Sequence, residues 1–505
     1  MRHVMGLRIA VVGGGSAGSV LANRLSAHAD FEILLLEAGR TYSSERFPKA
    51  LTDADNLGGG TEFDWGYMGK TTGPGSTIAA QSGKVLGGGS AINAAVAKRA
   101  RATDFARWKA HGLGGWDFDQ VLEAYKTLEN TPEGADAWHG RSGPFPIRQP
   151  KLADVTPALQ CFVQAAVAAG FQRIDDFNGP IQDGVGIDPF NVVHGIRQNT
   201  GMAYLTNAVR QRPNLTIRGE TQIDRLEFTG RKVTGVHLVD GQLVEADAVI
   251  LCAGVYGSPA ILMRSGIGPA RSLDQLGIPL VADLPVGQRL FDHPFYYNTY
   301  ALKPQAGSMH PARGATIWTK SAEASGGELD LQITASNRSD PESPTGRTLT
   351  LATAVMTPVS VGNIRLSSRE PRDAPIIDYN LLAAPQDRRR LLDGVKLARR
   401  IARSRPLVDL IDHEIQPGDA IRDDALEPAV ESDLDTYHHG SGTVPMGGDA
   451  DPGAVVDAEG RVRHVEGLRV VDASIFPEIP STPTNLTVIM LAERMAKAMP
   501  RATTT

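Results

Sequence analysis

The sequence predicts an α/β protein with more than one domain, and three observations support this fold class. A short apolar run, Leu7 to Val12, leads directly into a glycine-rich turn and then into residues with helical spacing. A second apolar run, Phe31 to Leu36, follows where the next parallel strand is expected. The 505 residues include 54 glycines and 32 prolines without an obvious repeat. This length predicts about two to four domains, connected by many loops.

The composition excludes several classes of protein. Hydrophobic residues make up 41% and charged residues 21% of the chain, as in soluble globular proteins. A net charge of −6 gives no positive surface for nucleic acid or for an anionic membrane. The two cysteines, Cys161 and Cys252, exclude a disulfide scaffold and a cysteine-only metal site. The scattered histidines lack metal-ligand spacing, so we expect no metal site.

The sequence also indicates where the protein resides. It enters the first strand-like run at about residue 7, which leaves no room for a signal peptide. No apolar run approaches the length of a membrane span, and the tail RATTT carries no peroxisomal or lipidation signal. We therefore expect a cytoplasmic protein without a membrane span.

The first glycine-rich turn has the features of a dinucleotide-binding fingerprint. The run Gly13 to Gly18 matches GxGxxG between a strand and a helix, and the second strand ends in Glu37. Gly13 allows the tight turn, Gly15 lets the backbone approach a pyrophosphate, and Gly18 lets the helix pack on the strand. The helix N-terminus offers free N–H groups to phosphates, and Glu37 would accept hydrogen bonds from a ribose. The motif alone does not separate FAD from NAD.

A second glycine-rich segment spans residues 83 to 108, GKVLGGGSAINAAVAKRARATDFARW. One interpretation is a flexible loop leading into an ordinary helix. The other is a second backbone cradle whose N–H groups point at a cofactor, followed by a helix from about Ala91. Composition alone does not separate the two interpretations.

Taken together, these and later segments resemble the glucose–methanol–choline (GMC) flavin oxidoreductases. The first family signature is GxxLGGxSxxN, followed by an arginine six residues later and by DxxxW. The second, Gly254 to Gly268, follows an apolar strand from Ala248 to Ala253 and departs from the pattern only at Val255. Other family-like segments are DWGY at 64, MAYL at 202, RPNL at 212, VGQRLFDHP at 286, IIDYN at 376, GLRVVDASIFP at 467 and TNLTVIMLAER at 484. Because these segments keep the family order, the resemblance covers nearly the whole chain.

The resemblance implies FAD as cofactor and a fold of two domains. A Rossmann-like FAD-binding domain would comprise residues 1–150, 203–298 and 455–505. A substrate domain, built on an antiparallel sheet with helices, would comprise residues 151–202 and 299–454. Some relatives attach FAD through a histidine whose position here is Ile92, so we expect FAD to be bound non-covalently.

The family pattern also implies which residues surround FAD. They lie in the two glycine-rich segments, after two strands of the nucleotide domain, beside the flavin ring, and near the adenine and pyrophosphate. The expected cofactor residues are Gly13, Gly15, Ser16, Ala17, Gly18, Glu37, Ala38, Leu86, Gly87, Gly88, Ser90, Asn93, Ala94, Ile223, Ala253, Gly254, Asp472 and Ala473. Asn93 and Ala94 are the residues expected beside the flavin ring.

The resemblance implies a catalytic pair, His439 and Asn485. His439 begins the segment H-G-S-G-T. The chain departs from the family pattern at Gly440, and at Val444-Pro445 directly after this segment. Histidine suits a base that takes a hydroxyl proton, because its pKa lies near neutrality. The Asn485 amide could donate a hydrogen bond to the substrate oxygen. Without the resemblance, His439 would be an ordinary turn histidine and Asn485 the N-cap of the last helix.

Three further residues received separate predictions. His438 is expected to line the substrate pocket, the alternative being a histidine that only packs or caps. Val355, on a sheet strand, is expected to face the flavin and substrate, the alternative being core packing. His293, in the DHP segment, is interpreted as structural.

The leading hypothesis for function is FAD-dependent oxidation of a primary alcohol to an aldehyde. His439 would take the hydroxyl proton, flavin N5 would take the hydride, and O2 or a quinone or protein acceptor would receive the electrons. The segments look most like bacterial members that oxidise choline, aryl or furanic alcohols, and the low aromatic content of 6% argues against choline. Alternatives are a hydroxynitrile lyase, which keeps FAD without net redox chemistry, and a flavoprotein that only binds ligands.

Overall fold

A five-stranded parallel sheet forms the centre of the nucleotide-binding part in the computed structural model, which describes residues 6–71 and 76–499. The predicted strands Leu7–Val12 and Phe31–Leu36 are confirmed, and they pair in parallel. In spatial order the strands are Leu215–Arg218, Phe31–Leu36, Leu7–Val12, Ala248–Leu251 and Leu468–Val470. The last strand comes from the far end of the chain, so this sheet is assembled from separated segments.

Two helices pack together beside the parallel sheet. Ser16–Ser26 follows the first glycine turn, and Asn485–Lys497 is the last helix. Arg24 of the first helix makes two hydrogen bonds, 2.8 and 2.7 Å, with the carboxylate of Glu493 on the last one. Glu493 is almost fully buried, so this bidentate ion pair holds the two helix surfaces in one register.

A larger, mainly antiparallel sheet forms the second part of the molecule. Its main path is Ile411–Gln416, Pro294–Leu302, Arg347–Val355, Leu331–Ser339, Arg313–Thr319, Gly184–Ile187 and Arg173–Ile174, with Asp435–Thr436 paired to Pro294–Leu302. The helices Pro157–Ala168 and Pro385–Ala402 cover one face. The opposite face lies towards the parallel sheet and lines a cavity.

The remaining elements are short or connect the two large sheets. The helices include Lys49–Thr52, Gly89–Ile92, Ala102–Ala110, Phe118–Leu128, Thr200–Ala203, Asn207–Arg210, Gly254–Arg264, Ala270–Gln275 and Leu426–Ser432. A three-stranded sheet joins Ile223–Thr229, Lys232–Leu238 and Leu243–Glu245, and a four-stranded sheet joins Asn363–Arg365, Ile376–Asp378, Met68–Lys70 and Thr77–Ala79. The other strands of two residues are Glu129–Asn130, Phe145–Pro146, Val192–Val193, Ile196–Arg197, Ile267–Gly268 and Ala282–Asp283.

The observed elements cross two of the predicted boundaries. Strand Pro294–Leu302 belongs to the antiparallel sheet, so the boundary predicted at residue 298 falls inside one strand. The four-stranded sheet joins residues 68–79 to residues 363–378, which were assigned to different domains. The two-domain division stays a prediction, because the sheets exchange strands between its segments.

The prediction of a helix from about Ala91 is wrong. A single turn, Gly89–Ile92, ends at Asn93, and the next helix is Ala102–Ala110. Between them, Ala95 has a φ of 58° and Val96 forms a bridge with Phe190. A helix cannot continue through a left-handed residue whose neighbour pairs with another chain segment. Tertiary pairing therefore overrides the helical propensity of this alanine-rich stretch.

Among residues 6–71 and 76–499, no helix is both long and apolar enough to cross a membrane.

Gly18 is predicted to be indispensable to the first turn. A Cβ atom at Gly18 would lie 1.9 Å from the carbonyl oxygen of Gly13 and 3.3 Å from the Cβ of Cys252. Gly18→Ala should therefore separate the helix from its strand and cost more than about 2 kcal/mol of stability. Thermal unfolding of the purified variant measures the loss.

Gly114→Ala is the matched control, because a Cβ atom there meets nothing within 4 Å. It should melt close to the parent protein. A Gly18→Ala protein that melts with Gly114→Ala would contradict the steric argument.

Candidate active site

One cavity of about 630 Å3 lies between the two glycine-rich segments and the open face of the antiparallel sheet. Most residues predicted to contact cofactor or substrate line it. They are Gly13, Gly15, Ser16, Ala17, Glu37, Ala38, Gly88, Asn93, Ala94, Ile223, Ala253, Gly254, His438, His439, Asp472, Ala473 and Asn485. Gly18, Leu86, Gly87, Ser90 and Val355 do not form part of this lining.

The two glycine-rich segments touch each other at the cavity wall. The N–H of Gly87 donates to the carbonyl of Gly14 at 2.8 Å. Gly88 has a φ of 50°, and a Cβ atom there would lie 2.7 Å from the α-carbon of Gly15. Only glycine permits this approach, which leaves a smooth backbone surface next to the N-terminus of helix Ser16–Ser26. Such a surface fits the diphosphate of a dinucleotide, which binds backbone N–H groups at short range.

Glu37 is held rigidly at the end of its strand. Its carboxylate accepts hydrogen bonds from the N–H groups of Gly14 and Gly39, both at 2.7 Å. Burial raises the pKa of Glu37, and the backbone N–H groups oppose that rise. An ionised carboxylate can accept about four hydrogen bonds, so capacity for ribose hydroxyls remains.

Ser90 and Leu86 support the cradle from behind. The Ser90 hydroxyl donates to the carbonyl of Gly87 at 2.6 Å and lies 3.0 Å from the hydroxyl of Thr200. Leu86 is fully buried, and its side chain lies directly against Gly14. These side chains therefore shape the cradle from its outer side.

Asp472 has a structural task that sequence analysis missed. One carboxylate oxygen accepts from the Gly254 N–H at 2.9 Å and the Ser258 hydroxyl at 2.6 Å. The other accepts from the N–H and the hydroxyl of Ser474. Burial raises the pKa of Asp472, and these four donors oppose the rise. Since every acceptor position is used, only the backbone of Asp472 is available to a ligand on the cavity side.

Asn485 is the first residue of the last helix, and its side chain does not cap that helix. The N-cap is Thr484, without a side-chain hydrogen bond to the helix backbone. Instead, the Asn485 Oδ1 accepts a hydrogen bond of 2.7 Å from the hydroxyl of Ser16. This bond occupies the amide oxygen, so the amide NH2 is the group left to donate into the cavity.

The segment before Asn485 is fastened by a buried polar cluster. The Ser481 N–H and hydroxyl both donate to Asp104, at 2.9 and 2.7 Å. Arg101 donates to the Ser481 hydroxyl at 2.7 Å and to the carbonyl of Leu329 at 2.8 Å. Burial would raise the pKa of Asp104, but the positive charges of Arg107 and Arg101 lower it overall. The cluster joins the last-helix segment to the antiparallel sheet region.

The segment that carries His439 is held by backbone hydrogen bonds. Ser441 pairs with Phe291, and the N–H groups of Val444 and Met446 donate to the carbonyls of Ser474 and Ile475. The two departures from the family pattern fit their surroundings. A Cβ atom on Gly440 would lie 3.0 Å from the hydroxyl of Tyr256, so the approach is close, and Val444 is fully buried.

The His439 ring is anchored through one nitrogen. Its Nδ1 lies 2.9 Å from the Nδ1 of His293, and the two rings are almost perpendicular, at 87°. Its other nitrogen, Nε2, has no hydrogen-bond partner within the described part of the chain. Because His439 lines the cavity, Nε2 is the nitrogen available to a substrate.

Electrostatics keep both histidines of this pair uncharged. Burial lowers the pKa of His439 well below its ordinary value, and the neighbouring His293 and His438 lower it further. Burial also lowers the pKa of His293, to about 3. His439 is therefore a neutral imidazole across the physiological pH range, as a proton acceptor must be.

Tyr437 stacks against the other face of this arrangement. Its ring lies 4.2 Å from the Phe295 ring at 10° and 4.3 Å from the His439 ring at 33°. Sequence analysis missed both aromatic residues. The alternation of strand PFYYNTYAL places Phe295 and Tyr297 on one face, which is the signal that could have found Phe295. Other cavity residues that were missed are Trp65, Tyr67, Tyr256, Thr334, Ser336 and Ala352.

His438 projects into the cavity from a strained backbone. Its φ is 59°, and its N–H donates to the hydroxyl of Thr436 at 3.0 Å. Partial burial lowers the pKa of His438, while the carboxylates of Asp435 and Asp64 raise it. Of the two, Asp435 lines the same cavity. His438 is exposed on the cavity wall, and its role in binding substrate stays a prediction.

The expectation for Val355 is corrected by the structure. Val355 is fully buried with Leu331, Leu391 and Val395, under the helix Pro385–Ala402. Successive strand residues point to opposite faces, so Ala352 of the same strand lines the cavity and Val355 faces the helix. Ala352 and Val355 are separated by an odd number of residue steps, so their side chains lie on opposite faces of the sheet.

Asp292 is predicted to make stability fall as pH rises. It is buried, and one carboxylate oxygen accepts from the backbone N–H groups of His293 and His439, at 2.7 and 3.0 Å. Burial raises the pKa of Asp292 to about 7 from an ordinary value of 3.8. Since the folded pKa lies above the unfolded one, ionisation opposes folding, and stability is lost as pH rises between these values. Asp292→Asn should remove about 1–3 kcal/mol of this loss between about pH 5 and pH 8.

Melting temperatures across that pH range, with FAD present in excess, measure the effect. The exposed Asp274→Asn serves as control and should follow the parent protein. If Asp292→Asn and the parent lose the same melting temperature between the two pH values, the assignment to Asp292 is wrong.

Comparison with known proteins identifies the family. Two family profiles described as GMC oxidoreductase match residues 8–295 and 358–492. The chain is 36% identical to a 5-(hydroxymethyl)furfural oxidase of Methylovorus sp. (strain MP688), covering 97% of this chain and 98% of that protein. It is also 36% identical to an oxygen-dependent choline dehydrogenase of Ectopseudomonas mendocina (strain ymp), covering 96% and 92%. Among solved structures, pyridoxine 4-oxidase from Mesorbium loti matches with a TM-score of 0.89 and 33% identity, covering 98% and 99%.

These matches confirm the family and the cofactor that the motifs imply. The two profiles span both glycine-rich segments and the segments of His439 and Asn485. The chain belongs to the GMC oxidoreductase family, the FAD-dependent enzymes that include alcohol oxidases and dehydrogenases.

Proposed function

We propose that the protein oxidises a primary alcohol to an aldehyde, with His439 as the base and Asn485 as the hydrogen-bond donor to the substrate oxygen. The observation that supports this most directly is the state of His439. One ring nitrogen is held by His293 at 2.9 Å, and the other has no hydrogen-bond partner among the described residues and belongs to a ring on the cavity wall. A neutral, oriented imidazole in a site with FAD is what alcohol oxidation requires.

The proton moves from the substrate hydroxyl to Nε2 of His439. Because Nδ1 is already hydrogen-bonded, the ring stays in place while its charge changes. Beside this base, Asp435 lines the cavity and raises the pKa of the neighbouring His438. FAD, when bound, accepts the hydride from the substrate carbon.

Asn485 steadies the substrate oxygen as its hydrogen leaves. Its amide oxygen accepts from Ser16, which leaves the NH2 group to donate to the developing alkoxide. An amide has no lone pair on nitrogen that competes for the proton, so it stabilises the oxygen without acting as a second base. Asn485 and His439 therefore have distinct tasks.

The cavity wall supports a planar, unsaturated alcohol as substrate. Aromatic rings of Tyr67, Tyr297 and Phe295 line it, and Tyr297 donates to Asp435 at 3.1 Å. Two relatives are named for 5-(hydroxymethyl)furfural and pyridoxine, and each of these compounds carries its alcohol group on a planar, unsaturated ring. We propose an aryl or furanic primary alcohol, with His438 deciding which ring substituents fit.

Two finer points follow from the same comparison. Relatives named as oxidases or as oxygen-dependent favour O2 as electron acceptor over a quinone or protein. Ile92, which is buried beside the cavity, offers no nucleophile, so we propose that FAD is bound without a covalent link.

His439→Ala should abolish reduction of bound FAD by an alcohol under anaerobic conditions. The variant loses the only base assigned here, and the rate should fall by about 10²–10⁴-fold while FAD stays bound. Stopped-flow bleaching of the flavin absorbance measures this rate. In the parent protein the rate should not fall as pH is lowered through about 6.5, because the lowered pKa keeps His439 neutral.

His438→Ala is the matched control on the neighbouring residue. It should change the alcohol concentration needed for half-saturation and leave the limiting rate of bleaching within about tenfold of the parent. Unchanged bleaching in His439→Ala would overturn the assignment of the base. Product release without any bleaching in the parent would indicate the lyase instead.

Ser16 and Asn485 are predicted to act as one unit. Asn485→Ala should lower the limiting rate of bleaching by about 10²-fold, and Ser16→Ala by about tenfold, because the amide is no longer held. In the double variant, the Ser16 substitution should add no further loss. Additive losses would show that Ser16 acts through the cofactor turn and not through Asn485.

A further inference from the structure

The nitrogen that holds His439 belongs to a residue that sequence analysis interpreted as structural. His293 is fully buried at the start of strand Pro294–Leu302, and no part of it lines the cavity. Its Nδ1 faces the Nδ1 of His439 at 2.9 Å. The backbone N–H groups of His293 and His439 both donate to the carboxylate of Asp292, so the backbones of the two residues also lie side by side.

Two neutral imidazoles that meet through Nδ1 have only two possible arrangements. Either His439 donates its Nδ1–H and keeps a bare Nε2, or His293 donates and His439 carries its proton on Nε2. Only the first arrangement leaves His439 able to accept a proton from an alcohol. The second would present an N–H to the substrate hydroxyl and block the base.

The surroundings of His293 select the first arrangement. Its Nε2 is buried and has no hydrogen bond of standard geometry among the described residues. The backbone carbonyls of Pro480 and Met356 act on the His293 ring in the sense that raises its pKa, so they favour a proton on the ring nitrogen that they approach. Because Nδ1 of His293 is directed at His439, we assign these carbonyls to Nε2, where an N–H is attracted to them and a lone pair is repelled. With its proton on Nε2, neutral His293 must accept at Nδ1.

We propose that His293 is a positioning residue that sets the tautomer of His439. His293 accepts a hydrogen bond from the Nδ1–H of His439, and this leaves Nε2 of His439 without a proton. This inference rests on the proposed function for its consequence in catalysis, but the tautomer itself is a property of the resting protein. His293 here takes the place that a carboxylate takes in many catalytic histidine pairs. A neutral partner orients the ring without adding a negative charge beside it.

The other groups around the pair do not compete for this role. Tyr437 contacts both rings by stacking and edge contacts, and its hydroxyl lies 3.3 Å from the Thr334 hydroxyl. Asp104 and Arg107 act on His293 in opposite directions. Asp292 accepts from the backbone N–H groups of the two histidines and interacts with the Thr436 side chain, and His438 acts on His439 through charge without a hydrogen bond.

The test compares His293→Leu with His293→Asn in the FAD-loaded enzyme. Leucine has a similar size but cannot accept a hydrogen bond, whereas the asparagine amide oxygen can accept one near the original Nδ1 position. Nitrogen-15 NMR of ring-labelled histidine reports which nitrogen of His439 is protonated. The His439 signal among the 12 histidines is the one missing in His439→Gln.

The parent protein should show His439 protonated at Nδ1 and bare at Nε2, and His293→Asn should preserve this tautomer. His293→Leu should shift His439 towards the Nε2-protonated form and lower the limiting rate of flavin bleaching by about 10- to 100-fold, with FAD still bound. His293→Asn should retain most of the rate.

Two results would overturn the proposal. One is a parent protein whose His439 is protonated at Nε2. The other is a His293→Leu variant with the parent tautomer and the parent bleaching rate. Failure of the proposed function is a separate result, since normal bleaching in His439→Ala would remove the base assignment without changing the tautomer seen by NMR.

Discussion

The contact between the two glycine-rich segments is the constraint on which the rest of the site depends. Gly88 reaches the α-carbon of Gly15 so closely that a single Cβ atom would separate them. The Gly87 N–H closes the contact with a hydrogen bond to Gly14. This junction brings residues more than seventy positions apart into one backbone surface, next to a helix N-terminus. The cavity, the position of Ser16 and therefore that of Asn485 all follow from it.

The two side chains of the proposed catalytic pair, His439 and Asn485, are held in the same way. Each side chain is held at one end by a hydrogen bond and presents its other end to the cavity. For His439 the holding group is the Nδ1 of His293, and for Asn485 it is the hydroxyl of Ser16. Because side-chain rotation costs entropy on substrate binding, a group fixed in advance loses less freedom in the reaction. His293 and Ser16 are far in sequence from His439 and Asn485. The positions of both polar groups therefore depend on the tertiary structure.

Charge is arranged in layers around this pair. The imidazoles of His439 and His293 are kept neutral by burial, which suits a proton acceptor. Further out, Asp435 lines the cavity and raises the pKa of the neighbouring His438. The stacked ring of Tyr437 lies between the base and the aromatic strand face and excludes water from one side of His439. A base in this setting gains its function from position more than from an unusual affinity for protons.

The sequence alone determined the local elements and most of the candidate site. The strand–glycine turn–helix–strand unit ends where predicted, because local spacing and glycine chemistry dictate it, and the segments that carry His439 and Asn485 reach one cavity. Tertiary structure decided what local pattern does not encode. The helix expected from about Ala91 stops at Ile92 because Val96 pairs with a distant segment, and Val355 faces a helix because strand residues alternate faces. The partner of His439 lies 146 positions away, so only the folded chain shows that His293 touches it.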